Sequence, residues 1–340
     1  MPGIKYLFRV VRGMRFDKLN HMLAVVKDKG GHGKTRTLFS MAWCALRYGA
    51  GYYDYVMFGF YDMTGKQRDT YLTRVRNKKV CEAMNDYRFS EEFDDKLRFN
   101  ARFSSYLHRN WLDGSTATEA ALAAFLQGQD AFFAKPNHGS CGNGVEKLRV
   151  ADFGSYEEIL AYLHRKKLVV LEQVLAQHPD MARLHPSSVN TLRIVTDLVG
   201  ADDVRIAYIV LKIGRGGGCC DNTGQGGMLC RIDPKTATIC SVATDDYFNV
   251  FSAHPDTGVV FQGYRVPMLS EAIALAKKAA HEIPQMRHVG WDICITPDGP
   301  AIIEGNEYPG TDLCQLAPHT PEKNGLWKPY YKSLLKEITK

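Results

Sequence analysis

Apolar residues recur three and four positions apart from residue 5 to residue 50, which predicts a helical start to the chain. A polar and aromatic stretch from Gly51 to about Arg76 follows, and residues 78–130 read as helical or mixed. Beyond that the period shortens. Residues 131–135, 145–148, 168–172, 190–198 and 204–213 are short runs rich in apolar and β-branched side chains, and predict strands. Helices are expected between them at 155–165 and 270–282, opened by Ser155 and Ser270 as N-caps. Two last strands, 289–295 and 301–304, flank a turn at 297–299. Hairpins with occasional helices predict α+β lobes rather than a doubly wound parallel sheet.

The 340 residues are 45% hydrophobic and 24% charged, which excludes collagen-like, coiled-coil and wholly disordered chains and suits two packed lobes. No window approaches the ~18 consecutive apolar residues of a membrane span. Residues 7–26 come closest, but Arg9, Arg12, Arg15, Asp17 and Lys18 break them. The first residues lack the apolar run of a secretory signal, so the expected location is the cytoplasm.

The formal charge of +6 is unevenly spread: residues 1–36 hold nine Lys or Arg against two acids, and the remainder is close to neutral. That basic segment also carries Leu7, Phe8, Val10, Val11, Met14, Leu19, Met22 and Leu23. Either these bury an apolar stripe on the body, or the segment makes peripheral contact with the inner face of an anionic membrane or an acidic partner. No basic and aromatic stripe continues into the body, which argues against nucleic acid. The nine cysteines are scattered, without zinc-ligand spacing, and read as reduced thiols. Gly30-Gly31-His32-Gly33-Lys34-Thr35 imitates a phosphate loop but has Asp28 where the first glycine belongs and no buried strand before it, so a turn between helices is expected.

Two stretches carry chemistry. Asp292 stands six residues before Asp298 and Glu304 six after it, so a hairpin centred on Asp298 would oppose their carboxylates on one face. Asn306 shares that face. Two carboxylates and an amide oxygen are hard ligands suited to Mg²⁺, and opposed carboxylates repel without a cation. Outward, salt-bridged acids are the alternative, but Trp291, Ile293, Ile302 and Ile303 make the surroundings apolar. The other stretch is the strand 131–135, ending in Lys135-Pro136, with the loop Asn137-His138-Gly139-Ser140-Cys141-Gly142-Asn143-Gly144 behind it. Glycines and small polar residues let backbone N–H groups approach phosphate oxygens, and a strand-end lysine supplies a point charge.

In this order the glycine loop with its lysine, the acid after a hydrophobic strand (Val169 to Val174, with Glu172), and the Asp292…Glu304-x-Asn306 set resemble the ATP-grasp superfamily. Residues 186–196, Asp221-Asn222 and Gly226-Gly227 resemble its branch associated with sugar transfer and bacterial cell-surface polysaccharide loci. The resemblance covers about residues 75–320, and no glycine-rich strand–helix unit stands before it. It implies the ATP-grasp fold: a mainly helical region 1–75, a small lobe 76–171 with the phosphate loop, and a large lobe 172–340 with the metal site.

The resemblance also implies roles. Lys135 and Lys79 would hold ATP phosphates together with Gly139, Ser140, Gly142 and Gly144. Glu172 would meet the adenine amino group, with Gln173 and Val174 offering backbone bonds, and one of Gln177, His178 and Asp180 would reach the ribose. Asp292, Glu304 and Asn306 would bind one or two Mg²⁺. Arg193 and Arg215 would neutralise a γ-phosphate or acyl phosphate unless they form ordinary salt bridges. The glycine-rich run 214–227, with Asn222, would line the reacting end. His254 would touch substrate or act as a base, or simply lie exposed. A carboxylate–amine ligase acting on small-molecule acids and amines, free or carried on a sugar or lipid, comes first. A kinase phosphorylating a hydroxyl and a non-catalytic scaffold of membrane glycan assembly are the alternatives.

Overall fold

The computed structural model describes residues 16–139, 142–218, 221–310 and 313–339. Residues 1–15, Ser140, Cys141, Cys219 and Cys220 therefore lie outside the described residues, and with them part of the basic segment and one phosphate-loop position. Two compact units account for the chain: residues 1–85 with 308–340, and residues 86–307.

The first unit is helical. Phe16–Asp28 and Lys34–Tyr48 are joined by the glycine turn at 29–33, as the failed phosphate-loop pattern predicts. Leu19, Met22, Leu23 and Val26 are buried, so the described part of the basic segment does turn its apolar stripe inward. The C-terminal residues return to this unit because they carry buried side chains of their own, among them Leu316, Tyr331 and Leu334. Gln315 locks them in place, accepting from the Leu72 backbone N–H at 3.0 Å and donating to its carbonyl at 3.1 Å.

The second unit holds two antiparallel sheets. The smaller has the order β1 (Trp111–Asp113), β4 (Val170–Gln173), β2 (Ala131–Lys135), β3 (Glu146–Arg149). The larger, eight-stranded among the described residues, runs β10 (Val250–Phe251), β9 (Ala243–Thr244), β7 (Met228–Asp233), β6 (Val204–Ile213), β5 (Thr191–Leu198), β11 (His288–Thr296), β12 (Gly299–Asn306), with β8 (Thr238–Ile239) paired to β7. The lobe boundary expected at 171/172 falls within β4, whose register places Glu172 beside Phe133 in the small sheet. Ser155 caps the helix Tyr156–Lys166 as expected, accepting from the Glu158 N–H at 3.2 Å. Ser270 does not cap: the second helix is Leu269–Ala279, with Met268 at its N-cap, and the Ser270 hydroxyl donates to Glu271.

One departure decides the site. Thr296 pairs with Gly299 and Ile293 with Ile302, so the turn is centred between Pro297 and Asp298. Continued unbroken, that register would set Asp292 opposite Ile303. A bulge between Asp292 and Ile293 slips it by one residue, and Asp292 faces Glu304. The expected opposition is present, but the bulge produces it. Behind this hairpin Trp291 packs in the core, its ring 5.3 Å from that of Phe103 and 6.0 Å from that of Phe93. Gly305 lies against Phe93 and Phe99, and a Cβ there would stand 2.9 Å from the Phe93 ring and 3.0 Å from that of Phe99.

Candidate active site

A cleft of about 950 Å³ opens between the two sheets of the second unit. The small sheet contributes Phe133, Lys135, Glu172 and Gln173, and the large one Thr191, Lys212, Asp292, Ile303 and Glu304. Gly139, Gly142 and Asn143 of the glycine loop and Asp221-Asn222 also line it. An adjoining cavity of about 1040 Å³ adds His138, Asn306 and Glu307.

On the large sheet, Arg193, Asp292 and Glu304 stand in one row across β5, β11 and β12. Arg193 grips Asp292 with two bonds, Nε to Oδ1 at 2.5 Å and Nη2 to Oδ2 at 2.9 Å, and Lys212 Nζ donates to Oδ2 at 2.8 Å. Burial opposes the Asp292 charge, but Arg193 and Lys212 outweigh it and hold the carboxyl well below the usual range. Glu304 behaves oppositely: burial first, and Asp292 second, push its carboxyl up. Asp221 is also raised, by burial and then by Asp292, although Lys212 lies 3.9 Å away and Thr191 donates both N–H and hydroxyl to it. Burial alone would discharge Lys212, but Asp221 and Asp292 together push its amine up and keep it protonated.

On the small sheet, Glu172 is a buried hub. It accepts from Lys135 at 2.5 Å, Arg109 at 2.8 Å and Asn100 at 3.0 Å, and the two cations outweigh burial and hold its carboxyl far below normal. Arg109 also donates to the carbonyls of Ile302 and Ile303, the residues at the bulge. One guanidinium thus ties Glu172 of the small sheet to the bulge that aims Glu304. Lys96 holds the glycine loop, donating to the Gly139 carbonyl at 2.7 Å, and Asn137 joins the loop to the helix Lys96–Arg102 through its bonds to Leu97 and Asp95.

Several expected residues stand elsewhere or do other work. Arg193 is spent on Asp292, so it positions a carboxylate rather than meeting phosphate directly. Arg215 lies off the cleft, pairing with buried Asp245 at 3.4 Å and covering the Phe251 ring, which makes it the ordinary salt bridge. His254 is buried rather than exposed. Its Nδ1 accepts from the Asp256 and Thr257 N–H groups and its Nε2 donates to the Gly214 carbonyl, which leaves no lone pair for a base. Its ring stacks on His185, 5.6 Å away. Gln177 is consumed in pinning the segment 185–190: it donates to the His185 and Ser188 carbonyls and accepts from Asn190. His178 caps the helix Pro179–Leu184 through its own Nδ1, and the Asp180 side chain is half exposed. Lys79 is exposed on the helix Arg74–Met84 of the first unit and is not among the residues lining the cleft. Val174 and Gly144 adjoin lining residues without being among them.

Sequence reasoning missed Lys212, Arg109 and Lys96. Lys212 had a signal, a charge between Leu211 and Ile213 that interrupts the uncharged run from Ile206 to Ile213. A charge buried in a strand needs partners. Arg109 and Lys96 had none, because their partners lie far off in sequence.

The residues fit a divalent cation. Asp292 and Glu304 adjoin closely enough for a hydrogen bond between their carboxyls, and the raised Glu304 marks uncompensated negative charge. Among the described residues no three His, Cys, Asp or Glu side chains form a metal cluster, so such an ion would need Asp292, Glu304 and the Asn306 amide together with oxygens from a ligand.

The sequence pattern of the sugar-transfer associated ATP-grasp family matches residues 75–326. The chain belongs to this family. Its fold is the ATP-grasp fold, the two sheets of the second unit forming the grip. No curated protein sequence matches it. Among solved structures it is similar to the ATP-grasp ligase PsnB complexed with a phosphomimetic variant of its minimal precursor, Mg and ADP, at 14% identity and a TM-score of 0.44, over 78% of this chain and 70% of that one. It is also similar to D-alanyl-alanine synthetase A from Vibrio cholerae (12%, TM-score 0.42, 73% and 65%). A third similar structure is the D-cycloserine synthetase DcsG (12%, 0.41, 79% and 80%). Among the described residues of this family member, no helix is long and apolar enough to cross a membrane.

One glycine of the run 214–227, beside the cleft-lining Asp221 and Asn222, is testable directly. A Cβ at Gly227 would stand 2.2 Å from the Asp221 carbonyl oxygen and 2.9 Å from that of Asn222. Gly227→Ala is therefore expected to displace both residues from the cleft, lowering stability by about 1–3 kcal/mol and nucleotide turnover more than tenfold. Thermal unfolding and steady-state ADP release would show both effects; wild-type turnover would mean that this loop does not serve the site.

Proposed function

We propose that the protein is an ATP- and Mg²⁺-dependent carboxylate–amine ligase that forms an amide through an acyl phosphate, on a small acid or amine that is free or carried on a sugar. The observation that carries this reading is the charge arrangement across the cleft. Cations bonded to carboxylates on both sheets (Lys135 on Glu172, Lys212 on Asp292) face a space lined by the glycine loop, beside the under-neutralised Glu304. Such a space suits a polyanion with a divalent ion.

In this reading adenine lies against Glu172, Gln173 and the neighbouring Leu175, and the phosphates run between Lys135, the glycine loop and Lys212. Asp292, Glu304 and Asn306 would hold Mg²⁺, which supplies charge neutralisation for attack of one anion on another. The substrate carboxylate oxygen attacks the γ-phosphorus, the bond to the β-bridging oxygen breaks, and ADP leaves. The amine then attacks the acyl carbon, phosphate departs with the acyl oxygen, and the ammonium formed loses a proton. No side-chain nucleophile is required, so this chain's contribution is positioning and electrostatics. Arg193 and Lys212 keep Asp292 ionised, while Arg109 fixes the bulge.

The test is turnover of ATP with Mg²⁺ and pools of amino acids, sugar acids and amino sugars, with ADP, AMP and free phosphate quantified by chromatography. ADP with equimolar phosphate, released only when an acid and an amine are both present, is the expected result. ADP without free phosphate would replace the ligase by a kinase.

A further inference from the structure

The helix Lys34–Tyr48 of the first unit is apolar on two sides. Thr37, Met41, Cys44, Ala45 and Tyr48 point into the unit's core. On the opposite arc, Phe39 is 75% exposed, Trp43 59% and Leu38 37%, with half-buried Ala42 and Leu46 between them. At 100° per residue, Ala42, Leu46, Phe39 and Trp43 fall within an arc of about 100°, and Arg36 and Arg47 line one edge of it. Large aromatics on the outside of a helix cost solubility and mark a contact surface.

Charge selects the occupant. From Lys29 to Tyr53 the chain has four Lys or Arg and no acidic residue, and the fourteen residues before Arg15 are equally free of acids. A basic, acid-free helix with Trp, Phe and Leu on its outer face has the make-up of a segment that lies in a membrane interface, rings among the acyl chains and guanidinium groups at the phosphates. We propose that the outer face of Lys34–Tyr48 docks the protein on a bilayer rich in anionic phospholipid. The stripe formed by Leu19, Met22 and Leu23 is not the docking face, because those side chains are buried. The inference stands apart from the ATP site, since it uses no residue of the cleft.

The test is co-sedimentation of the full-length protein with vesicles of phosphatidylcholine alone or mixed with phosphatidylglycerol. Binding only to the mixed vesicles, weakened by salt, is expected. The double variant Phe39→Ser/Trp43→Ser should bind at least tenfold more weakly, and Arg36→Gln/Arg47→Gln should lose much of the preference for anionic lipid. Both should unfold at the wild-type temperature, because the replaced side chains are exposed. No sedimentation with anionic vesicles, or wild-type binding by the double serine variant, overturns the proposal. So does a wild-type dimer that the serine variant turns into a monomer while vesicle binding is unchanged, because the face then joins two copies of the chain.

Discussion

Glu304→Gln is expected to lower ATP turnover at least a hundredfold while the protein stays folded. Glutamine keeps the shape and one carbonyl oxygen but removes the negative charge that a divalent ion needs beside Asp292. The stability consequence has the opposite sign to the usual loss on mutation. Burial and Asp292 raise the Glu304 carboxyl above its unfolded value. The group therefore favours the folded state at acid pH, and that contribution is lost as pH rises through the folded pKa. Glutamine does not titrate. Without metal, the variant should unfold at the same temperature as wild type in acid and at an equal or higher temperature at pH 7–8. Turnover and calorimetry across pH measure both; full retained activity, or loss of folding, would remove Glu304 from the metal-binding role.

Arg109→Leu should be the most destabilising single change near the site. The guanidinium serves Glu172 and the carbonyls of Ile302 and Ile303 in a buried environment. Leucine leaves Glu172 with only Lys135 and Asn100, and two bulge carbonyls short of donors. Breaking a buried pair costs about 3–5 kcal/mol, which for a unit of this size lowers Tm by on the order of 10 °C. The sign with pH follows from the depressed Glu172 carboxyl: its stabilisation is present above the unfolded carboxyl pKa and lost as pH falls toward the folded one. The gap between wild type and variant should therefore be widest near neutrality and narrow below about pH 4, where Glu172 begins to protonate in the variant. A gap independent of pH would mean that the arginine acts only through the carbonyls. Because the bulge aims Glu304, turnover should fall as well, and Arg109→Lys should recover stability better than activity, since an ammonium cannot span three acceptors.

Most strands were legible from local pattern. β2 and β6 coincide with their apolar runs, and the other expected strands differ by at most two residues at an end, where hydrogen bonding rather than composition sets the limit; the strands at 111–113, 228–233, 238–239, 243–244 and 250–251 were not read from the sequence. The opposition of Asp292 and Glu304 was legible because residues near a hairpin turn become spatial neighbours, and their separation can be counted. The count nevertheless reached Asp292 and Glu304 through a wrong turn centre, which the bulge offset.

Side-chain roles set by distant partners were not legible. Arg193 and Asp292 are 99 residues apart, Lys212 and Asp292 80, and Arg109 and Glu172 63. A sequence shows that an arginine is present, but whether it meets a carboxylate or a phosphate depends on what folding brings beside it. His254 illustrates the same limit, since a loop histidine looks available until its two nitrogens are found bonded to backbone. By itself the sequence determined the class of fold, the positions of most of the longer strands, the glycine loop and the carboxylate hairpin, because these rest on spacing along one chain segment. Only the tertiary structure decided which charges neutralise one another, which carboxyl is left raised, and which aromatic face stays outside, because those depend on burial and on partners tens of residues away.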